Sequence, residues 1–133
     1  FEWDAILNFQ GETGPYIQYT YVRTRSVLEK IDKLPEYNEI KLENLQDNYS
    51  QAVIKLLYNF EETLVQVTKK EEPSILSRYL IDLAKAFSSF YNENKIIVDD
   101  KEVQDARVYL TYSVGKVLET GAKLLGIEMP EKM

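Results

Sequence analysis

The chain has 133 residues, about one domain, and its 44% hydrophobic and 29% charged residues are typical of a globular protein rather than a disordered one. Histidine and cysteine are both absent, which excludes disulfide frameworks, Cys/His zinc sites, thiol nucleophiles and histidine acid–base catalysis within this chain. The net charge of −6 argues against broad, nonspecific capture of nucleic acid.

The first elements predicted along the chain are a short helical turn, a loop and a long helix. Residues 1–9 have the spacing of the helical turn, and Gly11 and Gly14 allow the loop backbone angles that other residues resist. The long helix begins at Pro15, because a proline costs no hydrogen bond at the first helical position. It ends at about residue 31, and its apolar face recurs every three or four residues through Ile17, Tyr21, Thr24, Leu28 and Ile31.

A second and a third helix follow a charged connection over residues 32–47. The second helix begins near Asn48, which can cap it, and ends before the Lys69–Pro73 segment. The third helix begins around Pro73 and ends at Asn92–Asn94. Both helices carry a wide apolar stripe, so each is expected to face a core.

The fourth predicted helix begins near Asp99 and ends at Gly126, a residue type that commonly follows a helix. No strand pattern is found, and the connections are short enough to make neighbouring helices antiparallel. The predicted fold is therefore all-α, an antiparallel helical bundle of four main helices. Leu56, Leu83 and Leu118 are expected to lie in its core.

The sequence patterns of catalysis are missing from this chain. It has no phosphate-binding glycine loop, no nucleophile elbow and no metal-ligand cluster. The adjacent carboxylates Asp99 and Asp100 are better explained by helix capping than by acid–base chemistry. We therefore expect no catalytic, cofactor-binding or metal-binding residue here. No apolar run approaches about 18 residues and no signal peptide is visible, so we expect a cytoplasmic protein without a membrane span.

Three side chains near the start of the first long helix form a candidate binding surface. Tyr16 and Tyr19 lie three residues apart and Arg23 follows four residues later, so all three share one side of the helix. Phenol rings stack on unpaired bases, worth about 1–3 kcal/mol each, and an arginine can bind phosphate. The residues alone leave two interpretations open: a nucleic-acid surface, or tyrosines that bridge the core and the solvent.

These residues belong to a longer motif. Asn8–Tyr19, which reads NFQGETGPYIQY, resembles the segment that leads into the C-terminal domain of arginyl-tRNA synthetases, and Arg23 occupies the family's arginine position after it. Phe87–Tyr91 and Val117–Met133 resemble two further family segments in order and spacing. Asp105–Val108 departs from the family's Asp-Ala-Leu-Arg. The resemblance covers nearly the whole chain.

The resemblance implies a domain organisation and a parent enzyme. Residues 14–133 would form the α-helical anticodon-binding domain of DALR type, and residues 1–13 the end of a linker from the catalytic domain together with an Ω-like loop. The parent enzyme would be arginine–tRNA ligase, a class I aminoacyl-tRNA synthetase that uses ATP and Mg²⁺. Its catalytic motifs are absent here, so this fragment alone is not expected to be active. The implied partners are the anticodon loop of the arginine tRNA and the chain's own catalytic domain, with no membrane, and we expect a monomer.

Carried over position by position, the resemblance also implies which residues contact the tRNA. The loop would shape itself around the anticodon loop, Tyr16 and Tyr19 would contact or support its splayed bases, and Arg23 would make a polar contact. Tyr91 and Met133 would form an apolar patch that meets Tyr19 and a purine. The implied tRNA-binding residues are Asn8, Gln10, Gly11, Thr13, Tyr16, Tyr19, Arg23, Tyr91 and Met133.

Binding an anticodon loop would require energy to turn a base out of the loop and positive charge to bind its phosphates. Arginine tRNAs share a cytosine in the middle of the anticodon, and turning such a base out of its loop costs a few kcal/mol that stacking and edge hydrogen bonds must offset. Because the net charge is −6, phosphate binding requires a local basic patch. Its predicted members are Arg23, Arg25, Lys30, Lys116 and Lys123.

Two alternatives remain open on the sequence. One is a helical protein-interaction module that presents Tyr16, Tyr19 and Tyr91 to a partner protein and has no RNA role. The other is the equivalent domain of a cysteine or methionine synthetase.

Overall fold

The computed structural model describes residues 14–127 and 129–130. This part of the chain contains five α-helices, two short 3₁₀ turns and no strand. The α-helices are α1 (Gly14–Leu28), α2 (Asn48–Tyr58), α3 (Phe60–Lys70), α4 (Pro73–Glu93) and α5 (Lys101–Leu124), and the 3₁₀ turns are Tyr37–Glu39 and Leu42–Leu45. The all-α prediction is confirmed, and no described helix is long and apolar enough to cross a membrane.

The second predicted helix is divided into two. α2 ends at Tyr58 and α3 begins at Phe60, with Asn59 between them at φ −87° and ψ 1°. The Leu56 carbonyl, at the end of α2, accepts hydrogen bonds from the Asn59 N–H at 3.1 Å and from the buried Tyr79 hydroxyl at 2.5 Å. These bonds satisfy a carbonyl that a helix end would otherwise leave without a partner. The apolar stripe continues across the break, so periodicity alone did not reveal it.

The core lies where α1, α4 and α5 pack together. Leu83 and Leu118 are fully buried there as expected, whereas Leu56 is half-buried. α1 and α5 run antiparallel and approach closely at Gly115, where an added Cβ would lie only 2.7 Å from the Thr24 hydroxyl oxygen. This approach fixes α1 against the bundle and thereby positions the side chains on its other faces.

The helix caps differ from the predicted ones by one residue. Asp47, rather than Asn48, caps α2: its carboxylate accepts from the Ser50 N–H at 3.0 Å and from the Ser50 hydroxyl at 2.7 Å. The Asn94 side chain, at the end of α4, also donates to Asp47, at 3.3 Å. Asp100 caps α5, one residue after the predicted start near Asp99, as the capping interpretation of these two carboxylates allows. Burial acts to raise the pKa of the Asp47 carboxyl, but these hydrogen bonds outweigh it and hold the pKa below its ordinary value.

We predict that Asp47→Ala lowers the free energy of unfolding by about 1 kcal/mol at neutral pH, because the first turn of α2 loses its cap. A lowered pKa in the folded state means that this contribution is complete above about pH 4 and is lost as the pH falls through the folded-state value. Urea unfolding from pH 7 to pH 3 should show the difference from the unaltered chain shrinking. Asp47→Asn keeps a capping oxygen and is the control. A deficit in Asp47→Ala that grows on acidification would contradict this account.

Candidate nucleic-acid interface

The packing of α1 on the C-terminal half of α4 brings four of the predicted site residues to one surface. Tyr16, Tyr19 and Arg23 come from α1, and Tyr91 comes from the last turn of α4. Contacts to Arg23 and to Ser88 join the two helices there. We call these four site residues the tyrosine platform.

Tyr16 connects the platform to the core and to α4. Its side chain is half-buried against the core, and its hydroxyl lies 3.1 Å from the Ser88 hydroxyl oxygen on α4, so one of these groups donates to the other. Ser88 lies one turn before Tyr91 on the same helix, so this hydrogen bond sets the position of α1 relative to Tyr91. No role for Ser88 was predicted, although it lies in the Phe87–Tyr91 segment and three residues before Tyr91.

Arg23 bridges two rings of the platform, exposed Tyr19 and half-buried Tyr91. Its guanidinium carbon lies 5.0 Å from the centroid of the Tyr19 ring and 4.4 Å from that of the Tyr91 ring. One guanidinium nitrogen also donates to the Tyr19 hydroxyl at 2.9 Å. Cation–π contacts of this kind contribute about 0.5–2 kcal/mol each. Arg23 therefore orders Tyr19, which would otherwise be a free surface side chain at 51% exposure.

The platform is anchored in the core through Tyr91. The Tyr91 ring packs against Phe87, which is fully buried, with 6.1 Å between the ring centroids. A continuous series of contacts thus leads from buried Phe87 through Tyr91 and Arg23 to exposed Tyr19. Such an ordered set of planar groups at the surface is suited to stacking on unpaired bases, because the rings lose little conformational freedom on binding.

Arg23 has N–H donors left that could bind a phosphate. A guanidinium has five N–H donors, and among the described residues the Tyr19 hydroxyl is the hydrogen-bond acceptor found for it. The remaining donors are held in one place by the two rings. A phosphate oxygen beside the platform would therefore meet a charge that is already oriented.

The predicted basic patch does not form as one surface. Arg23 faces α4, whereas Arg25 and Lys116 line a small cavity between α1 and α5 together with Glu119. The prediction failed because two residues on a helix are separated by about 200° when they are two positions apart. Lys30 remains on the platform side, where it lines a cleft with Tyr91.

The other predicted contact residues are outside the described part of the chain. They are Asn8, Gln10, Gly11, Thr13 and Met133. The Asp105–Val108 segment is described: Ala106 is buried, and the Arg107 guanidinium donates to the Lys95 carbonyl at 2.7 Å. Within the described ranges, no three acidic side chains gather closely enough to hold a metal ion.

We predict that the Tyr16–Ser88 hydrogen bond contributes about 0.5–1.5 kcal/mol to folding, as is usual for a neutral hydrogen bond. A double-mutant cycle with Tyr16→Phe and Ser88→Ala, measured by urea unfolding, should give a coupling energy in that range. Both changes keep the packing volume nearly constant. Strictly additive losses would mean that the two hydroxyl groups do not interact.

The chain resembles known proteins over its full length. Residues 17–133 match the family described as the DALR anticodon binding domain. Arginine–tRNA ligase from Halothermothrix orenii is 49% identical over 134 residues, and the enzyme from Alkaliphilus metalliredigens is 41% identical over 133 residues. Both alignments cover 100% of this chain and 23% of the relative, so the chain spans about a quarter of the length of these enzymes.

Solved structures give the same result. Thermus thermophilus arginyl-tRNA synthetase superposes with a TM-score of 0.82 at 31% identity, and the Plasmodium falciparum enzyme with a TM-score of 0.81 at 26% identity. Each superposition covers 100% of this chain and 23% of the other. The chain therefore belongs to the DALR anticodon-binding domain family.

Proposed function

We propose that this chain is the anticodon-recognition domain of an arginine–tRNA ligase and that it binds the anticodon loop of the arginine tRNA. Its family and the arginine–tRNA ligases that align with its full length support this proposal. The observation that carries it is the Arg23 guanidinium held between the Tyr19 and Tyr91 rings at the surface. This arrangement offers stacking surfaces and a phosphate ligand at the same point.

Recognition on the platform follows from the energies of base stacking. Turning a base out of the anticodon loop costs a few kcal/mol, and a ring that stacks on it returns about 1–3 kcal/mol. Stacking on Tyr19 and Tyr91 together would return about 2–6 kcal/mol, which is of the size needed to offset the cost of one splayed base. Stacking is sequence-tolerant, so the identity of the middle cytosine must be read by hydrogen bonds to its edge.

The hydrogen bonds to the edge of the cytosine would come from residues beyond the platform. Residues 1–13 would supply the end of the linker and an Ω-like loop, with Asn8, Gln10, Gly11 and Thr13 as contacts, and residues 14–133 would form the domain itself. Met133 would close the surface with its side chain. A polarisable thioether packs well against a ring.

The chemistry of aminoacylation is proposed for the rest of the enzyme. ATP and Mg²⁺ would bind in the catalytic domain, which would dock on this chain in a cytoplasmic, monomeric enzyme. The contribution of this chain would be binding energy and selection of the correct tRNA. That energy counts toward the rate only through the correct placement of the tRNA's 3′ end.

We predict that Tyr19→Ala weakens binding of an arginine anticodon hairpin about 5- to 100-fold, the equivalent of one lost base stack. Tyr91→Leu, which keeps an apolar side chain against Phe87, should cause a loss in the same range. Tyr37→Ala is the matched control, because Tyr37 is 70% exposed but packs on Tyr109, outside the platform. Fluorescence anisotropy with a labelled hairpin gives the affinities. Losses no larger than that of Tyr37→Ala would favour the protein-interaction module.

We also predict that changing only the middle anticodon cytosine to uracil weakens hairpin binding at least about 10-fold, the cost of one wrong base contact. The stem and the other loop nucleotides stay unchanged, so the comparison isolates base reading from stacking and phosphate contacts. Equal affinity for both hairpins would remove base-specific recognition from the proposal.

A further inference from the structure

A cleft adjoins the tyrosine platform and shares Tyr91 with it. It has a volume of about 340 Å³ and lies between the end of α1 and the turn that follows α4. Val27 and Ile96, both almost fully buried, contribute apolar surface to its lining, and Lys30, Asn92 and Lys95 lie at its surface. Its volume is at the lower end of the range for small-ligand sites, so the cleft has room for one small-molecule-sized group but not for a helix or a strand of a partner protein.

The charge of this cleft is opposite to that of the chain. Two lysines line it, and no acidic side chain does so among the described residues, although the net charge is −6. Neither Lys30 nor Lys95 belongs to an ion pair within the part of the chain that the structure describes. The Asp47 carboxylate contacts one lining residue, since it accepts a hydrogen bond from the Asn94 side chain at 3.3 Å. The same carboxylate also accepts hydrogen bonds from the Ser50 N–H and the Ser50 hydroxyl.

The rim that carries Lys95 is fixed from two sides. The Arg107 guanidinium on α5 donates to the Lys95 carbonyl at 2.7 Å. The Asn94 N–H donates to the Phe90 carbonyl at 2.9 Å, which closes the end of α4 immediately before Lys95. The backbone under this lysine is therefore ordered before any ligand binds, so a ligand does not have to bear the entropy cost of ordering it.

We infer that this cleft, between Lys30 and Lys95, is a second nucleotide subsite, which holds the unpaired nucleotide next to the one stacked on the tyrosine platform. The inference rests on the proposed function, because it takes the ligand to be the same anticodon loop. The two lysines would bind the phosphodiester, and the apolar lining would contact the ribose or the base. Because the two subsites share Tyr91, the nucleotides that they hold would lie side by side.

The chemistry of the lining favours this ligand over a protein segment. Lysine ammonium groups on flexible stems neutralise phosphates as point charges without demanding one geometry. The exposed Asn92 amide offers both a donor and an acceptor to a base edge or a ribose hydroxyl. A peptide would have to be acidic to match the lysines.

The test is the salt dependence of hairpin binding. Lys30→Ala and Lys95→Ala should each weaken binding about 3- to 10-fold at low salt and reduce the slope of log affinity against log salt by about 0.7, the value for one single-stranded phosphate contact. The double variant should reduce the slope by about 1.4, and Lys95→Arg should restore most of the loss. Lys55→Ala is the control, because this exposed lysine lines a different groove with Tyr58.

A second measurement locates the phosphate. Neutral methylphosphonate linkages placed one at a time through the loop should weaken binding of the unaltered chain at one or two adjacent positions. Binding of the Lys30→Ala/Lys95→Ala double variant should be insensitive at those same positions. If no position shows this coupling, the two lysines do not contact the backbone and the subsite is wrong.

The outcomes separate this inference from the proposed function. If the unaltered chain distinguishes the middle cytosine while the double variant keeps the full salt slope, only the second subsite is overturned. If the unaltered chain does not bind the hairpin, the proposed function fails and the subsite, which rests on it, falls with it. A reduced slope with cytosine discrimination intact supports the subsite, because the lysines then contribute affinity without reading the base.

Discussion

The stacking of Arg23 against Tyr91 is the contact on which the binding surface depends. It joins α1 to α4 at the surface, and the packing of Tyr91 on buried Phe87 connects it to the core. Without it, Tyr19 would be one exposed side chain on a helix, and a base that stacked on it would have to bear the cost of ordering the ring. With this contact, the Tyr19 ring and the guanidinium are already ordered in the free protein, so binding a ligand costs less conformational entropy.

The uneven distribution of charge explains how a chain with a net negative charge can carry an RNA-binding surface. Arg23, Lys30 and Lys95 lie at the surface that α1 and α4 share, whereas Arg25 and Lys116 line a cavity between α1 and α5 together with Glu119. A local group of this size suffices for a few phosphates. The excess of negative charge over the rest of the molecule disfavours RNA that cannot use the platform. Selectivity then comes from the coincidence of rings and cations at one place rather than from net charge.

Much of the fold could be predicted because helical periodicity reports which residues face the core. The buried face of α1 through Ile17, Tyr21 and Thr24 and the start of α4 at Pro73 were both correct. The break at Asn59 was not predictable in this way, because it is favoured by the hydrogen bond from the Tyr79 hydroxyl to the Leu56 carbonyl, 23 residues earlier in the chain. The one-residue shifts of both caps show that adjacent candidates such as Asp47 and Asn48 cannot be separated without the helix geometry.

The candidate site shows the same division between local and distant contacts. The common side of Tyr16, Tyr19 and Arg23 follows from their spacing on one helix. The contact of Arg23 with Tyr91 spans 68 residues, and only the family resemblance pointed to Tyr91. The role of Lys95 could not be predicted from the sequence, because Lys95 lies in a turn without periodicity. The position of its backbone depends on a hydrogen bond from Arg107 on α5.

An NMR titration that follows the tyrosine ring signals tests most directly whether Tyr19 and Tyr91 stack on nucleotides as one preorganised surface. With ¹³C-labelled tyrosine rings and an arginine anticodon hairpin, the ring signals of Tyr19 and Tyr91 should move together to lower frequency, because a stacked base shields them. Those of Tyr37 and Tyr58, which line a separate groove, should stay in place. Shifts confined to Tyr37 and Tyr58, with Tyr19 and Tyr91 unchanged on binding, would contradict the account.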